Sequence, residues 1–283
     1  KYQLWLDVRS KAERGNLLAM EKKSSPAAKA KSLKLDPNLS AEQALKLVIE
    51  NGLNHILPNA AAIAGGVAEA DHIHQARVGL RRLRSALKHF SNWSEHINPA
   101  WESELADIFR ALGQSRDHDA IQDSVIPLIK KVCDFDFALS SSSDPELATR
   151  LSNTQTTQLF LSLLSFIYSE NEAKTKLSKQ VAKSLSKLYH KILKDASQFP
   201  ELSIEQQHRT RKRVKQLRYC IDFTAGLYPE KQVQQFLDKL QPIQEYLGFY
   251  NDLFVAEQIF QQQVSEKPEF LFALGWVKAQ QPH

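Results

Sequence analysis

The chain has 283 residues, of which 42% are hydrophobic and 24% charged, with nine glycines and two cysteines, so it is long enough for one large or two small cores and too apolar for a disordered chain. No apolar run reaches the roughly 18 residues of a membrane-spanning helix, and two isolated cysteines, Cys133 and Cys220, give neither a CxxC pair nor a disulfide framework. The formal charge of +5 is unevenly spread: residues 71–90 net +4 and residues 208–218 net +6, which leaves −5 on the remainder.

In chain order, Tyr2 to Arg9 alternates like a strand and is followed by Ser10-Lys-Ala-Glu-Arg-Gly15. Residues 23–39, rich in Lys, Ser and Ala with two prolines, have the composition of a linker. Ser40, with Glu42 and Gln43 behind it, signals a helix start. That helix carries Leu45, Val48, Ile49 and Leu53 on one face and is expected to weaken at Pro58. Further helical periodicity covers residues 71–92, 99–131 with a break near Gly113, 158–169, 171–198, 203–228, 230–264 and 268–281. The serine-rich stretch 134–156 separates two halves, about 40–133 and 157–283.

The halves echo each other. His74-Gln-Ala-Arg77-Val-Gly-Leu-Arg81-Arg82-Leu-Arg84 returns as His208-Arg-Thr-Arg211-Lys212-Arg213-Val-Lys215-Gln-Leu-Arg218, 134 residues later. Leu112-Gly-Gln-Ser-Arg116-Asp117 returns as Leu247-Gly-Phe-Tyr-Asn251-Asp252, 135 residues later. The expected fold is therefore all-α: two pseudo-symmetric four-helix bundles built by internal duplication.

At 100° per residue, His74, Arg77, Arg81, Arg84 and Lys88 share an arc of roughly 80°, about 21 Å long, beside an apolar face of Ala76, Leu80, Leu83 and Leu87. His208, Arg211, Lys212, Lys215 and Arg218 form the matching stripe, while Arg82 points elsewhere. Lysines and arginines on a solvated helix usually face acids one turn away, yet no acid lies between His74 and Lys88, and near the second stripe Asp222 is the one acid a turn from Arg218. Stacked like charges without partners point to an anion. A third stripe, with Lys179, Lys183 and Lys187, is open to both readings, solvated face or ligand wall.

The stripes carry no interleaved aromatics, and no helix-turn-helix or zinc-finger spacing is present, so nucleic acid is the alternative and a polymer of phosphate alone the leading ligand. Arginine forks grip phosphate oxygens in pairs, lysine adds a point charge, and an adjacent polyanion raises the imidazole pKa of His74 and His208. Asp71-x-x-His74 and Glu205-x-x-His208 have di-iron spacing, but a dication beside Arg77, Arg81, Arg211 and Lys215 is electrostatically disfavoured. Asp117-His118-Asp119 cannot converge on one ion because consecutive helical residues diverge by 100°. Asp117 and Asp252 are expected to orient nearby arginines or to cap helix starts after Gly113 and Gly248. No P-loop, nucleophile elbow, metal site, cofactor motif or catalytic acid–base pair is apparent.

Together, His74-x-x-Arg77-x-x-x-Arg81-Arg82-x-Arg84, Leu112-Gly-x-x-Arg116-Asp117-x-Asp119, His208-x-x-Arg211-Lys212-x-x-Lys215-x-Leu-Arg218-Tyr219 and Leu240-Gln-x-x-Gln244-x-x-Leu247-Gly-x-x-Asn251-Asp252 resemble the CHAD domain, the conserved histidine α-helical domain, over residues 40–283. The resemblance implies a basic channel between two bundles that binds inorganic polyphosphate and performs no catalysis. The implied contacts are His74, Arg77, Arg81, Arg84, Lys88, His208, Arg211, Lys212, Lys215 and Arg218, with Arg82, Arg116, Lys179, Lys183 and Lys187 as additional contacts. Asn251 departs from the pattern where the first half has Arg116, which implies unequal halves. Residues 1–22 are similar to the tail of a CYTH triphosphate-tunnel domain, which implies a parent protein with inorganic triphosphatase activity that this chain lacks. The expected compartment is the cytoplasm, at polyphosphate granules.

Overall fold

The computed structural model describes residues 5–20, 25–113, 121–133, 146–170, 175–265 and 267–281. Its regular structure is helical: α1 (Lys11–Ala19), α2 (Ala41–Ala64), α3 (Ala70–Phe90), α4 (Ala100–Ala111), α5 (Ile126–Ile129), α6 (Glu146–Leu151), α7 (Thr154–Ile167), α8 (Leu177–Ala196), α9 (Ile204–Thr224), α10 (Glu230–Gln263) and α11 (Phe270–Gln280). The one β-type pairing among the described residues is an isolated bridge between Ser40 and Lys176. No helix there is long and apolar enough to cross a membrane.

Local signals set most boundaries. Ser10, Ser40 and Ser203 each close a capping box, with Glu13, Gln43 and Gln206 respectively, and Asn153 caps α7 by accepting from Thr156 N at 2.7 Å. The strand expected before α1 is absent from residues 5–10, because one alternating segment has no second strand to complete its hydrogen bonds. Pro58 does not end its helix: α2 continues to Ala64. Inside α2 the proline removes one backbone donor, a local cost met by the burial of Leu53, Ile56, Leu57 and Ile63 around it. Gly248 and Pro242 likewise lie inside α10, so Asp252 caps no helix start. Helix α6 interrupts the stretch read as a separator, and its Leu147 and Leu151 are buried.

The linker is likewise packed onto the helices. Asn59 exchanges two hydrogen bonds with the Ala28 backbone, at 3.0 and 2.9 Å, and the Ser25 carbonyl meets His72 Nε2 at 2.8 Å. Asn51 Nδ2 donates to the Lys31 carbonyl at 3.2 Å, and Leu35 is buried. These side chains on α2 and α3 satisfy the segment's backbone groups, which lets it lie along the helices without regular structure.

Two apolar cores result, and burial follows a different division from the sequence halves. The larger combines Leu45, Ile56 and Leu83 with Val181, Val214 and Leu217 from the other half. The smaller joins residues 121–129 to 253–277, including Ile126, Phe260 and Phe270. Within the larger core α2 and α3 approach closely at Gly79, where a Cβ would fall 2.7 Å from Ile56 Cγ1.

Helices α3 and α9 cross at the centre, each 21 residues long. Arg82 on α3 lies over Phe223 on α9, and His89 on α3 meets Gln216 on α9 at 3.0 Å. The two pairs occupy positions that the 134-residue echo relates, 82 to 216 and 89 to 223. The Ser40–Lys176 bridge joins the starts of α2 and α8.

Candidate anion-binding face

Burial of the apolar side of α3 leaves Arg77, Arg81 and Arg84 facing α4. The guanidinium carbons of Arg77, Arg81 and Arg84 lie 4.7, 6.0 and 5.6 Å from the centre of the Phe109 ring, so one aromatic face gathers three cations. Arg77 also donates to the Leu112 carbonyl. That approach depends on Gly113, whose Cβ, if present, would lie 3.0 Å from the Arg77 guanidinium. Arg84 donates Nε and Nη2 to Glu102 Oε1 at 3.0 and 2.8 Å. The acid missing from the α3 sequence is therefore supplied by α4. The Arg81 Nε is buried without a hydrogen-bond partner. His74 is half-buried near the start of α3, and Lys88 is exposed at its end.

On α9, Arg211 faces Asp252 of α10 at 3.9 Å, and Arg218 Nη1 donates to Gln244 of α10 at 3.2 Å. Asp252 thus meets the orienting role expected of it. Lys215, one turn beyond Arg211, has its pKa pulled down to about 7 by burial first, then by Arg211 and by Arg81 from α3, with Asp252 opposing. The charge of Arg81 on α3 is therefore felt at Lys215 on α9, together with that of Arg211. Burial, then Lys212 and Arg211, also lowers the pKa of His208. In the free protein the charges beside this imidazole are cations, and the upward shift is expected only once a polyanion is seated there.

Arg82, expected as an additional contact, is 9% exposed, donates to Asp222 at 3.1 Å and lies over Phe223 and Tyr219, so it ties α3 to α9. Burial raises the pKa of Asp222, against the lowering by Arg82 and Arg218. Arg213 is similarly engaged with Asp195 of α8, which also accepts from Thr210 Oγ1 at 3.0 Å.

Lys179, Lys183 and Lys187 are exposed on α8. The pKa of His89 is lowered by burial first and then by Lys88, Lys191 and Lys187, so the third stripe approaches the end of the first there. Arg116, with Asp117, His118 and Asp119, lies outside the described residues. Among those described, no three His, Cys, Asp or Glu residues cluster so as to hold a metal ion. Glu205 instead pairs with Arg209 at 3.4 Å, and Asp71 accepts from Gln75 at 3.4 Å. Sequence reasoning missed Phe109 and Glu102; their spacing of seven on one face of α4 was the available signal.

A family model described as the CHAD domain matches residues 47–261. Among solved structures, the crystal structure of the CHAD domain from the plant Ricinus communis is similar, with a TM-score of 0.73 and 28% identity, covering 90% of this chain and 92% of that one. No curated protein matches. The two positive matches agree with the all-helical architecture, and the family model spans well over half the sequence: the chain belongs to the CHAD domain family.

Proposed function

We propose that this chain is a non-catalytic binding module for inorganic polyphosphate, gripped between the stripes of α3 and α9. What supports the reading is the gathering of Arg77, Arg81 and Arg84 around Phe109, with the charge of Arg81 felt at Lys215 of α9 beside that of Arg211. Such a cluster is costly in the empty protein and is relieved by a multivalent anion. Arg77, Arg84, Lys88 and His74 extend the contact along α3, and His208, Lys212 and Arg218 extend it along α9; Lys187 adds a third wall beside Lys88. Acids from α4 and α10 hold Arg84 and Arg211 in place, so the ligand meets guanidinium groups already ordered, which lowers the entropic cost of binding. Two cationic stripes suit a chain of repeated phosphates, each alike, better than a duplex read at its base edges.

The test is titration of long-chain polyphosphate into the wild type and into Arg81→Glu with Lys215→Glu, both checked for helicity. The double variant is expected to bind at least about tenfold more weakly; an unchanged affinity sinks the proposal. Competition with RNA at equal phosphate concentration decides the nucleic-acid alternative: displacement of polyphosphate by RNA means that the ligand is wrongly assigned.

A further inference from the structure

Beside the outer end of the α9 stripe lies a groove of about 450 Å³ between α9 and α10. One wall carries His208 and Lys212, one turn apart, with Arg209 held by Glu205 at the rim. The other carries Phe254, Val255 and Gln258. Phe254 ends an aromatic ladder on α10: Tyr246 and Tyr250 lie parallel at 6.5 Å, and Tyr250 meets Phe254 edge-on at 5.0 Å. The Tyr250 hydroxyl donates to Gln207 of α9 at 2.7 Å, which fixes the ladder against the basic helix. Tyr246 is 61% exposed, well beyond what packing alone asks of a tyrosine.

A ligand of phosphate alone has no use for this apolar wall. The groove puts the Lys212 ammonium and the His208 imidazole on one side and an aromatic face with a side-chain amide on the other, at a volume within the range of about 300–1,000 Å³ usual for small-molecule sites. We infer that the groove binds a nucleoside 5′-polyphosphate, its base against Phe254 with Gln258 at the base edge, and its phosphates on His208 and Lys212 leading toward Arg211. A stacking platform accepts any base face, and the charged wall sets the direction of entry. This rests on the anion-binding reading of α9 and adds to it a terminus that discriminates between a bare phosphate chain and one with an aromatic head.

Calorimetric titration of the full chain with ATP and with tripolyphosphate tests it. ATP is expected to bind about five- to tenfold more tightly than tripolyphosphate, from one stacked base. Phe254→Ala is expected to remove that advantage and to leave tripolyphosphate affinity within about twofold of wild type. Should Phe254→Ala lose helicity, Phe254→Leu keeps the packing volume while removing the aromatic face, and the same result is expected. Equal affinity of the two ligands for the wild type, or equal weakening of both by the Phe254 variants, overturns the inference. Failure of long polyphosphate to bind, with ATP still bound through Phe254, overturns the preceding proposal and leaves this one standing.

Discussion

Arg82 of α3 donates to Asp222 of α9 at 3.1 Å, and this ion pair stands at the crossing of the two helices that carry the basic stripes. Its guanidinium is also sandwiched near Phe223 and Tyr219, at 4.7 and 5.7 Å. A residue within the basic motif therefore joins the two helices that carry the stripes.

Replacing Arg82 with alanine leaves Asp222 half-desolvated beside apolar rings and empties a contact between the helices. Loss of about 2–3 kcal/mol of stability is expected in urea unfolding. Arg82→Lys restores charge but not the planar fork or the stacking, and should recover less than half of that loss.

The glycines separate packing from propensity. Gly79→Ala forces a methyl against Ile56 and is expected to cost about 1–3 kcal/mol. Gly248→Ala, inside α10 with nothing within 4 Å of the added carbon, is expected to stabilise by about 0.5–1 kcal/mol. Thermal melts of the two variants should shift in opposite directions.

Lys215 gives binding a pH dependence. Its pKa of about 7 in the free protein rises when an anion seats against it, so binding takes up a proton above that pH. Polyphosphate affinity is expected to fall as pH rises from 7 to 9, by at most about tenfold per unit from this group. Calorimetry at pH 8 in buffers of different ionisation heat should report a proton uptake that Lys215→Met reduces by most of one proton, leaving only what His74 and His208 contribute.

The same residue makes the empty protein less stable. A lysine whose pKa is lower folded than unfolded opposes folding most at pH below about 7, and the penalty fades as pH climbs toward the ordinary 10.5. Lys215→Met is expected to stabilise the ligand-free protein by about 1 kcal/mol at pH 7 while weakening polyphosphate binding. Stability and affinity should thus move in opposite directions in one variant.

The helices and stripes were legible because helical period is local: Arg77, Arg81 and Arg84 fall on one side of α3 whatever packs around them. The capping serines at 40 and 203 were equally local. What the sequence concealed came from elsewhere in space. The apparent lack of acids beside the first stripe dissolved once Glu102 arrived from α4, and the absence of aromatics once Phe109 did. Segment 25–39 looked like a linker because its order comes from Asn59, His72 and Asn51, side chains on helices it follows and not from its own pattern. Arg82 and Arg81, adjacent in sequence, meet different neighbours because 100° of helical rotation separates the face toward α9 from the face toward α4.

The larger core mixes Leu45 and Leu83 with Val181 and Leu217, so each half of the sequence completes the other's interior. A chain cut between residues 133 and 146 should therefore yield two pieces that are each largely unfolded alone and that regain helicity on mixing, the association itself supplying the missing apolar surface. In such a split protein, the face proposed to hold polyphosphate would be complete only in the reassembled pair, and polyphosphate is then expected to act as glue between the fragments.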